Sequence, residues 1–174
     1  MSRKVILYIA MSLDGYIARI NGDIDWLDGD GSEPNADFGY DEFYSSIDTV
    51  IMGRKTYDQV LTFGKYPYKG TRVYVFTSEK RPGNEDVIFT DENAGPLITK
   101  LKKEIGKDIW LIGGAEIIDT FIKKGLIDEY FITVIPCILG EGIPLFKAGN
   151  PEIKLKLLKH ESVNGMAMLH YAKR

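Results

Sequence analysis

Three short segments combine residue types suited to holding phosphate. Met52-Gly53-Arg54-Lys55-Thr56 sets a glycine, two cations and a hydroxyl where an apolar run gives way to a helical pattern. The free N–H groups and positive dipole end of a helix attract phosphate, and a glycine lets the backbone come close. The same residues also make an ordinary tight turn with solvated charges, and the two readings stand level. Ile112-Gly113-Gly114-Ala115-Glu116 repeats the arrangement with a glycine pair, whose plain alternative is turn chemistry. Two such turns in one sheet reinforce each other, because open α/β sheets bind ligands along the carboxyl ends of their strands. Thr77-Ser78-Glu79-Lys80-Arg81 follows a third apolar run. Its hydroxyls, with Lys80 and Arg81, could hold a phosphate ester such as the 2′-phosphate of NADP, although a solvated charged turn is the commoner use of such residues.

Other candidates are weaker. Between Ser12 and Trp26 lie Asp14, Asp23 and Asp25, each a possible proton donor, although most loop aspartates make local turns. Trp26 in this polar stretch suits either a ring over a flat ligand or a loop anchor. Phe38, Tyr40, Phe43 and Tyr44 form an aromatic stripe that could shape a pocket or pack a core. Cys137 follows Pro136, where a packed thiol is the simpler reading, and His160 and His170 fall in the last two alternating runs. One cysteine and two histidines give no zinc set. Gly-x-Gly-x-x-Gly, Gly-x-x-x-x-Gly-Lys-Ser/Thr and Gly-x-Ser-x-Gly are absent, which argues against a standard Rossmann fingerprint, a P-loop and an α/β-hydrolase elbow.

The elements that must position these residues follow from periodicity. Residues 3–11 read as a buried strand rather than a signal peptide, since no small-residue cleavage site follows. Residues 12–37 read as a long loop, and loops of that length are usually functional. Phe38 to Ile47 has the i, i+3, i+4, i+7 spacing of a helix. Strands are expected at 49–52, 72–76, 86–89, 109–112 and 129–135, and helices at 54–63, 96–105 and 116–124. Residues 136–151 read as a second loop. Two alternating runs, 153–162 and 166–173, are split by Asn164-Gly165, a hairpin signal. Alternating strands and helices with a closing antiparallel hairpin make an α/β domain with a mixed, mainly parallel sheet.

Composition narrows the class. The 174 residues suit one domain, 1–174, and 44% hydrophobic with 27% charged residues is a globular balance. A net charge of −3 lacks the basic excess of a nucleic-acid binder. No apolar run reaches the roughly 18 residues of a membrane span. A lone cysteine fits a reducing cytoplasm.

Taken in order, Ser12-Leu13-Asp14-Gly15-Tyr16-Ile17-Ala18, Val50-Ile51-Met52-Gly53-Arg54-Lys55-Thr56-Tyr57, Ile112-Gly113-Gly114-Ala115-Glu116, Asp128-Glu129-Tyr130 and Leu139-Gly140-Glu141-Gly142-Ile143-Pro144-Leu145-Phe146 carry a family pattern. The chain resembles the dihydrofolate reductase-like superfamily over nearly its whole length. In particular it is similar to stand-alone proteins related to the C-terminal reductase domain of bacterial riboflavin-biosynthesis deaminase-reductases. The resemblance implies a three-layer fold with an eight-stranded sheet flanked by helices, NADPH as hydride donor, a small heterocyclic substrate and a homodimer. Carried over, it implies Ala10 and Ile17 at the nicotinamide. Gly53, Arg54, Lys55 and Thr56 fall at the cofactor phosphates, and Thr77, Ser78, Lys80 and Arg81 on the adenosine side. Ile112, Gly113, Gly114, Ala115 and Glu116 fall around the pyrophosphate, with a cis Gly113–Gly114 bond. Trp26, Phe38, Tyr40, Phe43 and Tyr44 would shape the substrate pocket. Where dihydrofolate reductases carry an acid on the first helix, this chain has Gly39, with Tyr40 and Asp41 beside it. A lysine of the riboflavin enzymes is here Tyr8, and their glutamate before the glycine pair is Ile112. Asp14, Asp25 and Asp41 are the acids left as proton-donor candidates.

Overall fold

The protein is described by a computed structural model covering residues 2–174. Eight strands form one sheet, built around β1 (Val5–Ser12), which lies between β6 (Asp108–Gly113) and β7 (Glu129–Ile135), parallel to both. On the β6 side follow β3 (Ile47–Gly53), β4 (Arg72–Phe76) and β5 (Val87–Thr90), all parallel. On the β7 side the hairpin of β9 (Leu155–Val163) and β10 (Met166–Lys173) closes the sheet antiparallel, giving the order β5-β4-β3-β6-β1-β7-β10-β9. The hairpin turn is the Asn164-Gly165 pair, with φ of 50° and 73°, the positive angles such a turn demands.

The parallel part of the sheet is covered on both faces, as the unbroken apolar runs imply, whereas β9 is largely exposed. Val5, Leu7, Leu111 and Ile132 face α3 (Ala94–Leu101) and α4 (Ala115–Lys123). Ile6, Val50, Met52 and Trp110 face α1 (Tyr40–Ser45) and α2 (Arg54–Val60). The result is three layers.

The loops are more ordered than their composition implies. Inside the expected 12–37 loop, β2 (Tyr16–Ala18) pairs antiparallel with β8 (Ile143–Pro144) from the second loop. Leu13 and Leu145 each donate across to the other loop's partner segment, to Cys137 O and Gly15 O, at 2.8 and 2.9 Å. The first helix is shorter than its spacing implies. Phe38 and Gly39 both have positive φ, so the helix cannot begin before Tyr40, and Ile47 is already the first residue of β3. The third helix starts earlier than Pro96, because the Asn93 side chain caps it by accepting from Gly95 N at 3.2 Å. The second helix ends at Val60, and residues 61–63 continue it only as a 3₁₀ turn.

Candidate functional site

All the parallel strands end at one edge, and there the glycine turns meet. β3 ends at Gly53 and β6 at Gly113, with Met52 and Gly113 in register. A side chain at Gly53 would come within 3.9 Å of Gly113 O and Gly114 N, so the two turns are neighbours in space. The Gly113–Gly114 bond is cis, as the resemblance implies, and Gly113 has φ +129°. A Cβ on Gly113 would stand 3.2 Å from Ile118 Cδ1, and one on Gly114 would stand 3.3 Å from the Thr56 hydroxyl. Glycine at both positions thus lets the turn pack closely against the side chains of Ile118 in α4 and Thr56 in α2.

The helices that leave these turns differ from their neighbour in one respect. α3 has a side-chain cap, whereas α2 after Gly53 and α4 after Gly114 have none. Their first N–H groups remain as donors directed beyond the sheet edge. Glu116 in the first turn of α4 points outward and pairs with Lys147 of the second loop. Thr56 and Gly114 lie side by side, so a hydroxyl, a glycine backbone and the starts of two helices meet at one place.

The third phosphate candidate lies next along the same edge, after β4. Thr77 Oγ1 accepts from Glu79 N at 3.1 Å, which fixes the turn. Glu79 in turn accepts from Arg54 at 2.6 Å, and Arg81 donates to Asp58 at 2.7 Å. The guanidinium of Arg81 also lies 5.8 Å from the centre of the Phe89 ring. Lys55, Ser78 and Lys80 are exposed beside them.

An aromatic wall forms where β1 and β7 run beneath α1. Register sets Tyr8, Phe131 and His170 in one row across the sheet, and Ala10, Thr133 and Met168 in the next row toward the glycine edge. Tyr8 stacks on Phe43, with centroids 4.1 Å apart and 14° between planes, and meets Tyr40 edge-on at 6.4 Å. Phe131 stacks on His170 at 3.7 Å. Burial, with the charge of Asp37 and the Tyr40 ring close by, pushes the Tyr8 phenol above its ordinary value, so it stays protonated and able to donate. The aromatic stripe therefore divides. Phe43 is buried in the core with Trp110, whereas Tyr40 and Tyr44 are half-buried at its margin.

Trp26 is also buried, at 6% exposure, against Ile135 and Met166, with Ala10 and Phe38 packed on the same cluster. It anchors the loop, and its indole N–H is buried with no hydrogen-bond partner among the described residues. The loop is pinned again at the hairpin tip, where Asn164 Oδ1 accepts from Glu33 N at 3.0 Å and Asn164 O from Asp30 N at 3.0 Å. Ile17 lies on the opposite face of the sheet from Trp26, packed toward α4.

The three acids occupy different settings. Asp14 accepts from Ser12 Oγ at 2.6 Å and from the N–H groups of Leu139 and Gly140 at 3.1 and 2.8 Å, which staples the two loops together. The Ser12 bond, aided by those backbone donors, holds its carboxyl below the usual carboxylate range. Asp25 forms a two-point pair with Arg19 at 2.6 and 3.2 Å, which lowers it likewise. Asp41 is exposed in the first turn of α1.

Sequence reasoning missed Phe131, Thr133, Asp58 and Lys147 as parts of this region, and gave Glu79, inside the third phosphate segment, no role. Phe131 and Thr133 alternate in a strand that was recognised, so only register was needed to place them. The Glu116–Lys147 and Arg81–Asp58 pairs join segments 31 and 23 residues apart, and no local spacing marks them.

The RibD C-terminal domain model matches residues 3–169. The chain belongs to that family. It is 46% identical over 175 residues to the uncharacterized protein YwjB of Bacillus subtilis, covering 99% of each chain. It is 25% identical to the riboflavin biosynthesis protein RibD of Haemophilus influenzae, of which it spans 48%. A riboflavin-biosynthesis-type protein of Shewanella sp. PV-4 superposes with a TM-score of 0.86 at 32% identity over 100% of this chain and 99% of that one. The bifunctional deaminase and 5-amino-6-(5-phosphoribosylamino)uracil reductase of Thermotoga maritima superposes at 0.73 and 20% identity, with 57% of its length covered, a likeness of fold. The fold is the dihydrofolate reductase-like three-layer fold.

Proposed function

We propose that the protein is an NADPH-dependent reductase that transfers hydride to a small, flat heterocycle of the ribosylaminopyrimidine or pterin class. The observation that carries this reading is the meeting of the Gly53 and Gly113–Gly114 turns, with the uncapped ends of α2 and α4, at the carboxyl edge of the sheet. The site fits a dinucleotide: glycine backbone and N–H groups suit a pyrophosphate, and Arg54 and Arg81 suit a further phosphate. NADPH supplies a hydride. The residues of this chain position and enclose it: Gly113, Gly114 and Thr56 hold the phosphates, and Ala10 leaves room for a flat ring. Tyr8, Tyr40 and Phe131 line the place beside that ring, and Trp26 anchors the loop that keeps water out. Tyr8 is a protonated donor in this wall and suits a substrate nitrogen or oxygen.

Titrating the protein with NADPH and NADH, followed by fluorescence, tests the reading. Turnover assays with 5-amino-6-(5-phosphoribosylamino)uracil and with dihydrofolate then separate the substrate classes. Failure to bind either dinucleotide at millimolar concentration sinks it. A second reading, a non-catalytic NADP-binding module, draws on the tethering of Asp14 and Asp25 and the outward position of Asp41. It predicts binding without turnover.

The lone cysteine and acidic balance support a cytoplasmic protein acting on small molecules. Among the described residues no helix is long and apolar enough to cross a membrane. The β9–β10 hairpin, with Leu157 and Leu158 exposed on the edge strand, supports a homodimer, which sedimentation would test.

A further inference from the structure

Two of the cations read as phosphate ligands, Arg54 and Arg81, are already engaged by carboxylates. Glu79 Oε1 lies 2.6 Å from Arg54 Nη1, and its Oε2 lies 3.5 Å from Arg81 Nε. Arg81 is fixed independently by Asp58 at 2.7 Å and by the Phe89 ring. Arg54 has Glu79 as its ion-pair partner, so Glu79 is the one carboxylate that joins the two arginines. Its backbone is held in the turn by Thr77 Oγ1. All three side chains are a third to a half exposed, so they exchange partners readily.

A carboxylate set between two guanidinium groups does electrostatically what a phosphate ester would do there. A dianionic 2′-phosphate must displace it and then lies beside a like charge. A ribose 2′-hydroxyl meets no such repulsion and can donate to the carboxylate, which is how an acid beside the ribose favours the unphosphorylated dinucleotide. We propose that Glu79 sets the choice between phosphorylated and unphosphorylated dinucleotide, standing in for the 2′-phosphate across Arg54 and Arg81 in the free protein. The inference rests on the dinucleotide reading of the site. Glu79 then restrains NADPH affinity without abolishing it, and leaves NADH a competing ligand.

The test compares the wild-type chain with Glu79→Gln by calorimetry, using NADPH, NADH, adenosine 2′,5′-bisphosphate and AMP. Glu79→Gln should tighten the two 2′-phosphorylated ligands about three- to tenfold, the scale of one exposed charge pair plus one relieved repulsion. NADH and AMP should hold steady within about twofold or weaken, and the gain should shrink as salt is raised. Equal shifts for both ligand pairs, or weaker NADPH binding, would overturn the assignment. If the wild-type protein binds NADPH and the variant shows no discrimination, the assignment of Glu79 falls and the reductase reading stands. If neither protein binds any of the four ligands, the reductase reading fails and takes this inference with it.

Discussion

At the edge where the parallel strands begin, charges are paired with one another around a buried arginine. Arg3 is 4% exposed, donates to Lys107 O at 2.5 Å and to Thr49 Oγ1 at 2.6 Å, and is paired with Asp48. Lys4 reaches Glu129 at 2.6 Å, Glu129 reaches His170 at 2.9 Å, and Lys102 reaches Asp128 at 2.6 Å. At the edge where the strands end, the sheet is finished by glycine turns, uncapped helices and arginines on exposed carboxylates. The same polar chemistry therefore does two jobs. Where partners are internal, it closes the fold; where donors are left over, it can hold a ligand. Shape alone points the other way. Open depressions of about 390 and 440 Å³ lie at the starting edge, lined by Lys4, Lys102, Lys123, Lys154 and Lys173, and in them Lys4 and Lys102 already have carboxylates.

The sharpest break in this comparison comes from Arg3→Ala. Removing a buried guanidinium strands Lys107 O, Thr49 and Asp48, and breaking a buried ion pair costs about 3–5 kcal/mol. Asp48 is 40% exposed and regains water, so a loss of about 2–4 kcal/mol is expected in denaturant unfolding. The NADPH dissociation constant of the folded protein should stay within about twofold of wild type. A large loss of NADPH affinity in the folded variant would mean that the two edges are coupled rather than separate.

Arg54→Ala is the converse. One charge-assisted contact of about 1.5–3 kcal/mol is removed from the ligand side, so the NADPH dissociation constant should rise about tenfold or more. Because the Arg54–Glu79 pair is exposed, unfolding stability should change by no more than about 0.5 kcal/mol. Unchanged affinity would mean that the phosphate turn is misassigned.

These two arginines also mark how far the sequence could be read. Arg54 was legible because a glycine, a cation and a hydroxyl at the start of a helix form a local pattern. The strands and their mainly parallel sheet followed from apolar runs and alternation, and Asn164-Gly165 announced its hairpin, whereas the strand order around β1 is set only by the fold. Arg3 was not legible, since its partners lie 45 to 104 residues away and no local spacing encodes them. The β2–β8 pair escaped for the same reason: each strand is two or three residues long, and only the fold brings the two loops together. The aromatic stripe on the first helix was visible, but its division into core and margin depends on which side of α1 faces β1.

The Lys4–Glu129–His170 chain gives a pH test of the closed edge. Burial raises the Glu129 carboxyl, but its bonds to Lys4 and His170 outweigh that, and it lies below its ordinary value of 4.5. A carboxyl lowered in the folded state adds stability above its unfolded value and loses it as pH falls through the folded one. Glu129→Gln should therefore cost about 1 kcal/mol near neutral pH, since Lys4 is half exposed. The gap between variant and wild type should close as pH falls below 4.5. A gap that persists at acid pH would assign the loss to packing against Phe131 rather than to charge.

The smallest expected effect concerns the loop acids. Asp25 is exposed, and its pair with Arg19 lowers its carboxyl, so at neutral pH it stays ionised and holds no proton to give. Asp25→Asn should leave turnover within about twofold of wild type and its pH profile unshifted. A fall of about a hundredfold, the least expected on losing a general acid, would show that Arg19 releases Asp25 when substrate arrives. The loop edge would then be an active participant, and the proton would come from the 12–26 segment rather than from the Tyr8 wall.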